Sequence, residues 1–222
     1  MAEFAKYLPL SQRPRVDETG VSSHWDAAIG GILVRLAGML EGLTPEQWES
    51  PSLCEGWRVR DVAGHLVWRV GSSTGQMLKT GLREYVGTHV NPMRAMDVLS
   101  LRAAEASYAT LVAQLRHIAA LKLAGTGRLG LGELTEVVVH GFDMAQPLGI
   151  DLAIDGTVTG AVALGRTMIL PLEKKEVLRR RTLVATDADW KLGRGPEIHG
   201  SAEAIVLFLF GRGPLPAASV VE

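Results

Sequence analysis

Four ionisable side chains share one face of a helix predicted from Leu131 to Leu148. They belong to Glu133, Glu136, His140 and Asp143. At 3.6 residues per turn they fall within a stripe of about 80°. The other positions are largely apolar, so we expect this helix to be buried on most sides. Buried ionisable groups need an opposite charge, a hydrogen-bond network or a metal ion.

Glu136 and His140 are four positions apart, so their side chains project next to each other and can bind one ion. A third ligand must come from another element. His65 is the leading candidate because it stands in an otherwise apolar helical stretch. The remaining candidates are His199, in a predicted strand, and three histidines that we expect to be exposed, at His24, His89 and His117.

Two plainer interpretations of these residues stay open at this point. A Glu–His pair at this spacing is common on exposed helix faces. A single histidine on an apolar face is more often a hydrogen-bonded core residue than a ligand. If a metal is bound, three protein ligands and one free coordination position are typical of catalytic zinc sites, whereas structural sites use four.

The elements that carry these residues are predicted to be helices. Four segments have apolar residues at helical spacing and short connections, which is typical of a four-helix bundle. They run from Trp25 to Leu43, from Val59 past Trp68, from Pro92 to Ala124 and from Leu131 to Leu148. The glycines of 71–75 are expected to end the second of them.

After Ile150 the sequence changes to one more helix, short strands and turns. We predict a helix over 158–172, a solvated charged run over 174–181, and strands over 181–186, 190–192 and 197–199. Ser201 is expected to cap a final helix. The predicted organisation is a loose polar arm at 1–21, a four-helix bundle at 22–150 and a small α+β domain at 151–222.

Composition and charge exclude several classes of protein. Of the 222 residues, 47% are hydrophobic and 21% are charged, which is ordinary for a globular protein. Lys and Arg number 23 against 24 Asp and Glu, so nothing favours nucleic acid or an anionic membrane surface as a partner. The longest apolar run is far shorter than the ~20 residues of a membrane-spanning helix, and the first residues lack the pattern of a signal peptide. We expect a cytoplasmic protein that acts on small molecules.

The single cysteine, Cys54, excludes an intramolecular disulfide and a cysteine-rich zinc site. This usage fits a reducing compartment. Cys54 is either a reactive thiol or extra metal ligand, or a small buried residue that packs in a turn. We favour the packing role, because nothing near it in sequence ensures a lowered thiol pKa.

Two stretches resemble the motifs of the mycothiol-dependent maleylpyruvate isomerase family. The first is Ser52-Leu-Cys54-Glu-Gly56-Trp57-Arg-Val59-Arg-Asp61-Val62-Ala-Gly-His65-Leu66, and the second is Glu136-Val-Val-Val-His140-Gly-Phe-Asp143 followed by Leu148-Gly149. The tail is similar to the family's small C-terminal domain at Ala185-Thr-Asp187, Trp190, Gly195-Pro196-Glu197, Gly200 and Gly211-Arg212. The resemblance covers nearly the whole chain after the arm and implies a mainly α fold, with a DinB-like four-helix bundle followed by a small α+β domain. The family often has alanine where this sequence has Gly64.

The resemblance also implies a site and a chemistry. It implies a divalent metal, usually zinc, held by His65, Glu136 and His140, with Asp143 as a residue that supports them and Asp61 as another candidate for that role. Arg212 matches an arginine associated with the thiol or substrate site, which makes it the candidate catalytic residue. The implied activity is that of a thiol S-transferase or isomerase that uses mycothiol as thiolate nucleophile on a small electrophilic substrate.

Other functions fit the same ligands. In a hydrolase of this fold, the metal would activate water and turnover would not depend on a thiol. In a non-catalytic metal-binding module, the metal would be retained without turnover. Arg212 also has a plainer role, as a cation at the C-terminal end of a helix.

Overall fold

The computed structural model describes residues 25–88 and 92–217. The predicted arm at 1–21, His24 and His89 lie outside the described residues. The helices are α1 (Asp26–Glu41), α2 (Pro45–Trp48), α3 (Val59–Gly71), α4 (Thr74–Thr88), α5 (Pro92–Ala104), α6 (Tyr108–Leu123), α7 (Leu131–Ala145), α8 (Gly156–Thr167), α9 (Leu172–Arg180) and α10 (Ala202–Phe210). The strands are β1 (Thr182–Ala185), β2 (Lys191–Gly193) and β3 (Glu197–Gly200). None of the described helices has both the length and the apolar character needed to cross a membrane.

Helices α1, α3, α6 and α7 form the predicted four-helix bundle. Each of α1 and α3 contacts both α6 and α7, so the four helices enclose one core. The buried positions of α1 recur at helical spacing, as expected for a helix with one apolar face. They include Ile29, Ile32, Leu33, Leu36 and Leu40. The predicted fold class, mainly α with a small C-terminal sheet, is confirmed.

The helix predicted from Pro92 to Ala124 is interrupted between α5 and α6. Ser107 starts the second piece, because its hydroxyl oxygen accepts a hydrogen bond from the backbone N–H of Thr110 at 3.2 Å. No glycine or proline marks the interruption, so helical spacing alone does not reveal it. As a result only α6 belongs to the bundle, and α5 packs beside α3.

Helices α4 and α9 form in stretches where no helix is expected from the sequence. Helix α4 forms in the stretch after Gly71, where a capping box joins Ser73 and Gln76 through two backbone-to-side-chain hydrogen bonds. Helix α9 forms from the charged run expected to be solvated surface, and Glu176 pairs with Arg180 one turn later. None of the residues of α9 is buried, but residues 174–178 are half-buried, so only part of the helix is exposed as expected.

The C-terminal strands form one mixed sheet in the order β2-β1-β3. Strand β1 pairs antiparallel with β2 and parallel with β3. The helix predicted over 158–172 is α8 and ends earlier, at Thr167. Ser201 caps α10 as expected, by accepting a hydrogen bond from the N–H of Ala204. Both α8 and α10 pack on α7, which brings the end of α10 to the bundle. A domain boundary at residue 150 stays a prediction.

Gly64 sets the distance between α3 and α5. A Cβ atom built at this position would lie 2.5 Å from the backbone nitrogen of Ala104 and 2.7 Å from its Cα and Cβ atoms. Such contacts cannot be relieved by turning a side chain, because two of the atoms belong to backbone. Glycine therefore lets α5 approach α3 directly beside His65.

Candidate metal centre

The three predicted ligands meet in the bundle. His65 comes from α3, whereas Glu136 and His140 occupy successive turns of α7. Glu136 Oε2 lies 3.1 Å from His65 Nε2 and 3.4 Å from His140 Nε2. The three atoms all lie within 4.8 Å of one another, as they must to coordinate one ion.

The outer nitrogen of His65 is held by α5. Ser100 Oγ lies 2.9 Å from His65 Nδ1, and the hydroxyl of Ser100 donates its own hydrogen to the carbonyl oxygen of Met96 at 2.7 Å. The hydroxyl therefore accepts from His65, which places the histidine proton on Nδ1. In the neutral ring, Nε2 then presents a lone pair towards Glu136.

The outer nitrogen of His140 is held in a similar way within α7. Asp143 is fully buried, and its Oδ2 lies 2.9 Å from His140 Nδ1. A carboxylate cannot donate, so it accepts the proton of Nδ1 and leaves a lone pair on Nε2. When both rings are neutral, the lone pairs of His65 Nε2, His140 Nε2 and Glu136 Oε2 face one another, and no hydrogen atom lies between them. A metal ion fits this donor set, and an outer acceptor on each histidine is the usual companion of metal ligation.

The electrostatics of the site also favour a positive charge at this point. Burial lowers the pKa of His65. Burial opposes the charged form of His140 as well, but hydrogen bonds with Asp143, Cys54 and Glu136 raise its pKa well above the usual range. The pKa of Glu136 is lowered despite its burial, because both histidines hydrogen-bond to its carboxylate. A proton on His140 Nε2, or a metal in its place, is therefore stabilised.

Arg69 fixes the other oxygen of Glu136. It stands one turn after His65 in α3, and its Nε lies 3.2 Å from Glu136 Oε1. The same guanidinium reaches Glu133 Oε1 through Nη1 at 3.4 Å, and Arg128 Nε lies 3.1 Å from that oxygen. Because Oε1 is engaged with Arg69, Glu136 directs Oε2 alone at the two histidines.

Arg212 reaches the site from the C-terminal part of the chain. It follows Gly211, which ends α10 with φ at 78°, a conformation that favours glycine. Its Nε lies 3.2 Å from Asp143 Oδ1, an ion pair in which the N–H is not aligned for a hydrogen bond. Its Nη2 lies 3.4 Å from the sulfur of Cys54.

Cys54 is buried, as expected of a packing residue, and it also contacts the site. Its sulfur donates to Asp143 Oδ2 at 3.0 Å and lies 3.6 Å from His140 Nδ1. The backbone N–H of Leu53 donates to the carbonyl oxygen of Asp143 at 3.0 Å, which holds this loop over α7. Cys54 thus joins Asp143 and Arg212 in one cluster behind His140.

The other residues that the sequence analysis considered for the site lie away from the three candidate ligands. The carboxylate of Asp61 is bound by Arg58, through both side-chain and backbone nitrogens, so it does not support His65 as the sequence suggested. His117 is exposed on α6, as expected, and His199 Nε2 lies 3.3 Å from Glu197 on β3. Ser100 and Arg69 are the contributors that sequence reasoning missed.

Comparisons with known proteins agree with this architecture. The model of the family described as mycothiol maleylpyruvate isomerase N-terminal domain matches residues 30–145, more than half of the chain, and this range includes all three candidate ligands. Two solved structures are similar over 96% of this chain and 98% of theirs, each at 16% identity. They are crystal structures of the mycothiol-dependent maleylpyruvate isomerase, with a TM-score of 0.56, and of a histidine-to-alanine mutant of it, with a TM-score of 0.55. At this identity the likeness concerns the fold. Among curated proteins, no sequence matches significantly.

Proposed function

Since the chain belongs to the mycothiol maleylpyruvate isomerase N-terminal domain family, we propose that it is a metal-dependent enzyme that uses mycothiol against a small electrophilic substrate. Its reaction is an isomerisation or an S-transfer. The observation that carries this proposal is the convergence of His65 Nε2, Glu136 Oε2 and His140 Nε2. The cytoplasm, the compartment expected from the single cysteine, keeps such a thiol reduced.

His65, Glu136 and His140 would hold the ion. We propose zinc, because two imidazoles and one carboxylate are a ligand set of catalytic zinc sites that leaves one position open. When bound, the ion supplies a positive charge that lowers the pKa of a thiol at the open position and so provides thiolate near neutral pH.

The residues around the ligands keep the site in one geometry. Ser100 and Asp143 orient the two imidazole rings, and Arg69 holds the outer oxygen of Glu136. The ring centroids of Trp57 and His65 lie 5.4 Å apart, so the indole covers one side of the imidazole and would limit the access of water there. Exclusion of water strengthens every electrostatic interaction within the site.

Arg212 is the proposed catalytic residue. Its guanidinium is held by Asp143 and keeps further N–H groups for a ligand. In an isomerisation, the thiolate adds to a carbon–carbon double bond, the resulting single bond rotates, and expulsion of the thiolate restores the double bond in the other configuration. Addition places negative charge on the electrophile, and the positive charge of Arg212 stabilises that charge.

The experiment that tests this proposal measures metal content and turnover on the same preparations. Elemental analysis is done on the wild type, on His65→Ala and on a control variant, His117→Ala, whose side chain is exposed on α6. Isomerisation of maleylpyruvate is then followed with and without mycothiol. We expect about one metal per chain in the wild type and the control, loss of the metal in His65→Ala, and turnover only with thiol.

Three other results would each contradict the proposal and favour a different function. Isomerisation without any thiol would exclude the thiolate mechanism, and metal-dependent hydrolysis without a thiol would indicate the hydrolase. Retained metal without turnover of electrophiles would indicate a metal-binding module. Absence of metal from the wild type after reconstitution would leave the three residues as hydrogen-bonded core groups.

A further inference from the structure

A cleft of about 280 Å³ opens beside the metal centre, between α7, α8 and the end of α10. Glu136 and Arg69 form part of its lining, so the cleft begins at the ligand set. The rest of the lining is mainly small or apolar, with Leu131, Gly132, Gly165, Ile169 and Phe210. A molecule in this cleft would contact Glu136 and Arg69 with one end.

Three charged side chains line this cleft, and two of them neutralise each other. Arg69 Nε pairs with Glu136 Oε1 at 3.2 Å. The third is Arg166 of α8. Its Nε donates to the carbonyl oxygen of Leu209 at 3.2 Å, and its guanidinium carbon lies 4.8 Å from the centre of the Phe210 ring. These contacts fix the plane of the guanidinium beside the cleft.

Among the side chains and backbone groups that the structure describes, none contacts the terminal nitrogens of Arg166, and no described carboxylate forms an ion pair with it. A second cation, Lys174, is close enough to Arg166 to feel its charge. Burial and the charge of Arg166 together lower the pKa of Lys174, whose ammonium donates to the carbonyl oxygen of Phe208. The cleft therefore carries an unbalanced positive charge.

A plainer role for Arg166 is to bind the last carbonyl groups of α10, where a cation is favourable. That role uses Nε alone, and stacking on Phe210 uses the face of the group. Both leave the edge formed by the two terminal nitrogens, which is the edge that binds a carboxylate through two parallel hydrogen bonds.

We propose that Arg166 is a specificity-determining residue that binds a carboxylate group of the electrophilic substrate in this cleft. The inference rests on the proposed function, because it takes the electrophile to react at the neighbouring metal centre. The apolar walls at Leu131 and Ile169 contact the carbon chain of the substrate. The volume is at the lower end for ligand pockets, so the cleft suits a small carboxylic acid.

A carboxylate bound by Arg166 could belong to the electrophile or to the thiol co-substrate, and we assign it to the electrophile. Steady-state kinetics separate the two. With mycothiol saturating, Arg166→Gln should raise the KM for maleylpyruvate about 10- to 100-fold, the range expected when a hydrogen-bonded charge partner is lost. With maleylpyruvate saturating, the KM for mycothiol should stay the same.

A binding measurement without turnover completes the test. Maleate and its neutral diamide, maleamide, are titrated calorimetrically into metal-loaded wild type, Arg166→Gln, Arg166→Lys and the control Arg179→Gln, whose side chain is 73% exposed on α9. We expect Arg166→Gln to weaken maleate binding about 10- to 100-fold. The loss in Arg166→Lys should be smaller, because the ammonium keeps the positive charge, but it should be measurable, because the ammonium lacks the two-pronged edge. Maleamide should bind weakly to every variant. Arg166→Lys keeps a cation beside α10, so it serves as the test if the glutamine variant does not fold.

Three results would overturn the assignment: equal maleate affinity in wild type and variant, maleamide binding as tight as maleate, or a rise in the KM of the thiol instead. If thiol-dependent turnover stands while Arg166 has no effect, this inference fails and the proposed function holds. If maleate binding depends on Arg166 in a protein without turnover, the proposed function fails and the carboxylate site remains.

Discussion

Arg212 Nε lies 3.2 Å from Oδ1 of Asp143, so a residue from the end of α10 contacts the same carboxylate that orients the proposed ligand His140. The two oxygens of Asp143 have separate tasks: Oδ2 accepts from His140 and Cys54, and Oδ1 faces the arginine. This carboxylate therefore links the metal ligand to the proposed catalytic residue. The C-terminal part of the chain thus packs on the bundle and also places Arg212 beside the site.

Asp143→Asn should weaken metal binding by about 10- to 100-fold, because a neutral amide no longer holds the proton of His140 Nδ1 as a carboxylate does. The measurement is competition for zinc with a chromophoric chelator at fixed pH. Asp61→Asn is the matched control, since that carboxylate is also buried but binds Arg58. Equal metal affinity in both variants would contradict the orienting role of Asp143.

Arg69→Gln should also weaken metal binding, because Glu136 would lose the partner of Oε1 and could turn away from the histidines. We expect a loss of about tenfold, at the low end for residues that orient a ligand. Arg60→Gln is the control in the same helix, since Arg60 binds Glu49 and the carbonyl oxygen of Ala104 away from the ligands. If the two variants lose metal equally, the effect comes from general loosening of α3.

Gly64→Ala should destabilise the protein by ~1–3 kcal/mol, the usual cost of overpacking. The added methyl would meet backbone atoms of Ala104, so α3 and α5 must separate. The free energy of unfolding in urea measures this cost. Gly31→Ala in α1 is the control, because nothing lies within 4 Å of the added atom, and we expect it to stabilise by about 0.5–1 kcal/mol.

The double variant Gly64→Ala with Ala104→Gly refines the same prediction. Removing the methyl group of Ala104 relieves only the contact to its Cβ atom, and the backbone contacts remain. We therefore expect partial recovery of stability. Complete recovery would show that the side chain, rather than the backbone, sets the spacing of the helices.

Metal affinity should fall as the pH falls. A proton on His140 Nε2 competes with the ion, and the pKa of His140 is raised well above its usual range. Below that pKa, each unit of pH should weaken apparent binding up to about tenfold for this one proton. The pKa of Glu136 is lowered, so its carboxylate stays ionised and adds no slope near neutrality. Zinc affinity independent of pH between about 6 and 8 would show that His140 is already neutral in the metal-free protein.

The ligand set is accessible from the sequence because helical geometry determines it locally. Glu136 and His140 share a face through their spacing, and His65 stands out as a polar residue in an apolar stretch. Arg69 is open to the same reasoning, since it follows His65 by four positions and so lies on the same face of α3. A search restricted to metal-ligating residue types passes over it.

Ser100 and the contacts of Cys54 are different, because they depend on how distant elements meet. Ser100 reaches His65 because α5 ends before Ser107 and packs on α3. No glycine or proline in the sequence marks this end of α5. Cys54 reaches Asp143 because the loop before α3 folds over α7 through the hydrogen bond of Leu53. Neither relationship follows from local periodicity.

The ligands come from only two helices, with His65 on α3 and the other two on α7. An ion bound there would act as a cross-link between segments 71 positions apart in the chain, counted from His65 to Glu136. Unfolding would then require its release, so a free metal concentration of 100 times Kd adds about 2.7 kcal/mol to the stability of the folded chain. Metal supply would consequently raise the folded fraction of this protein as well as enable its proposed chemistry.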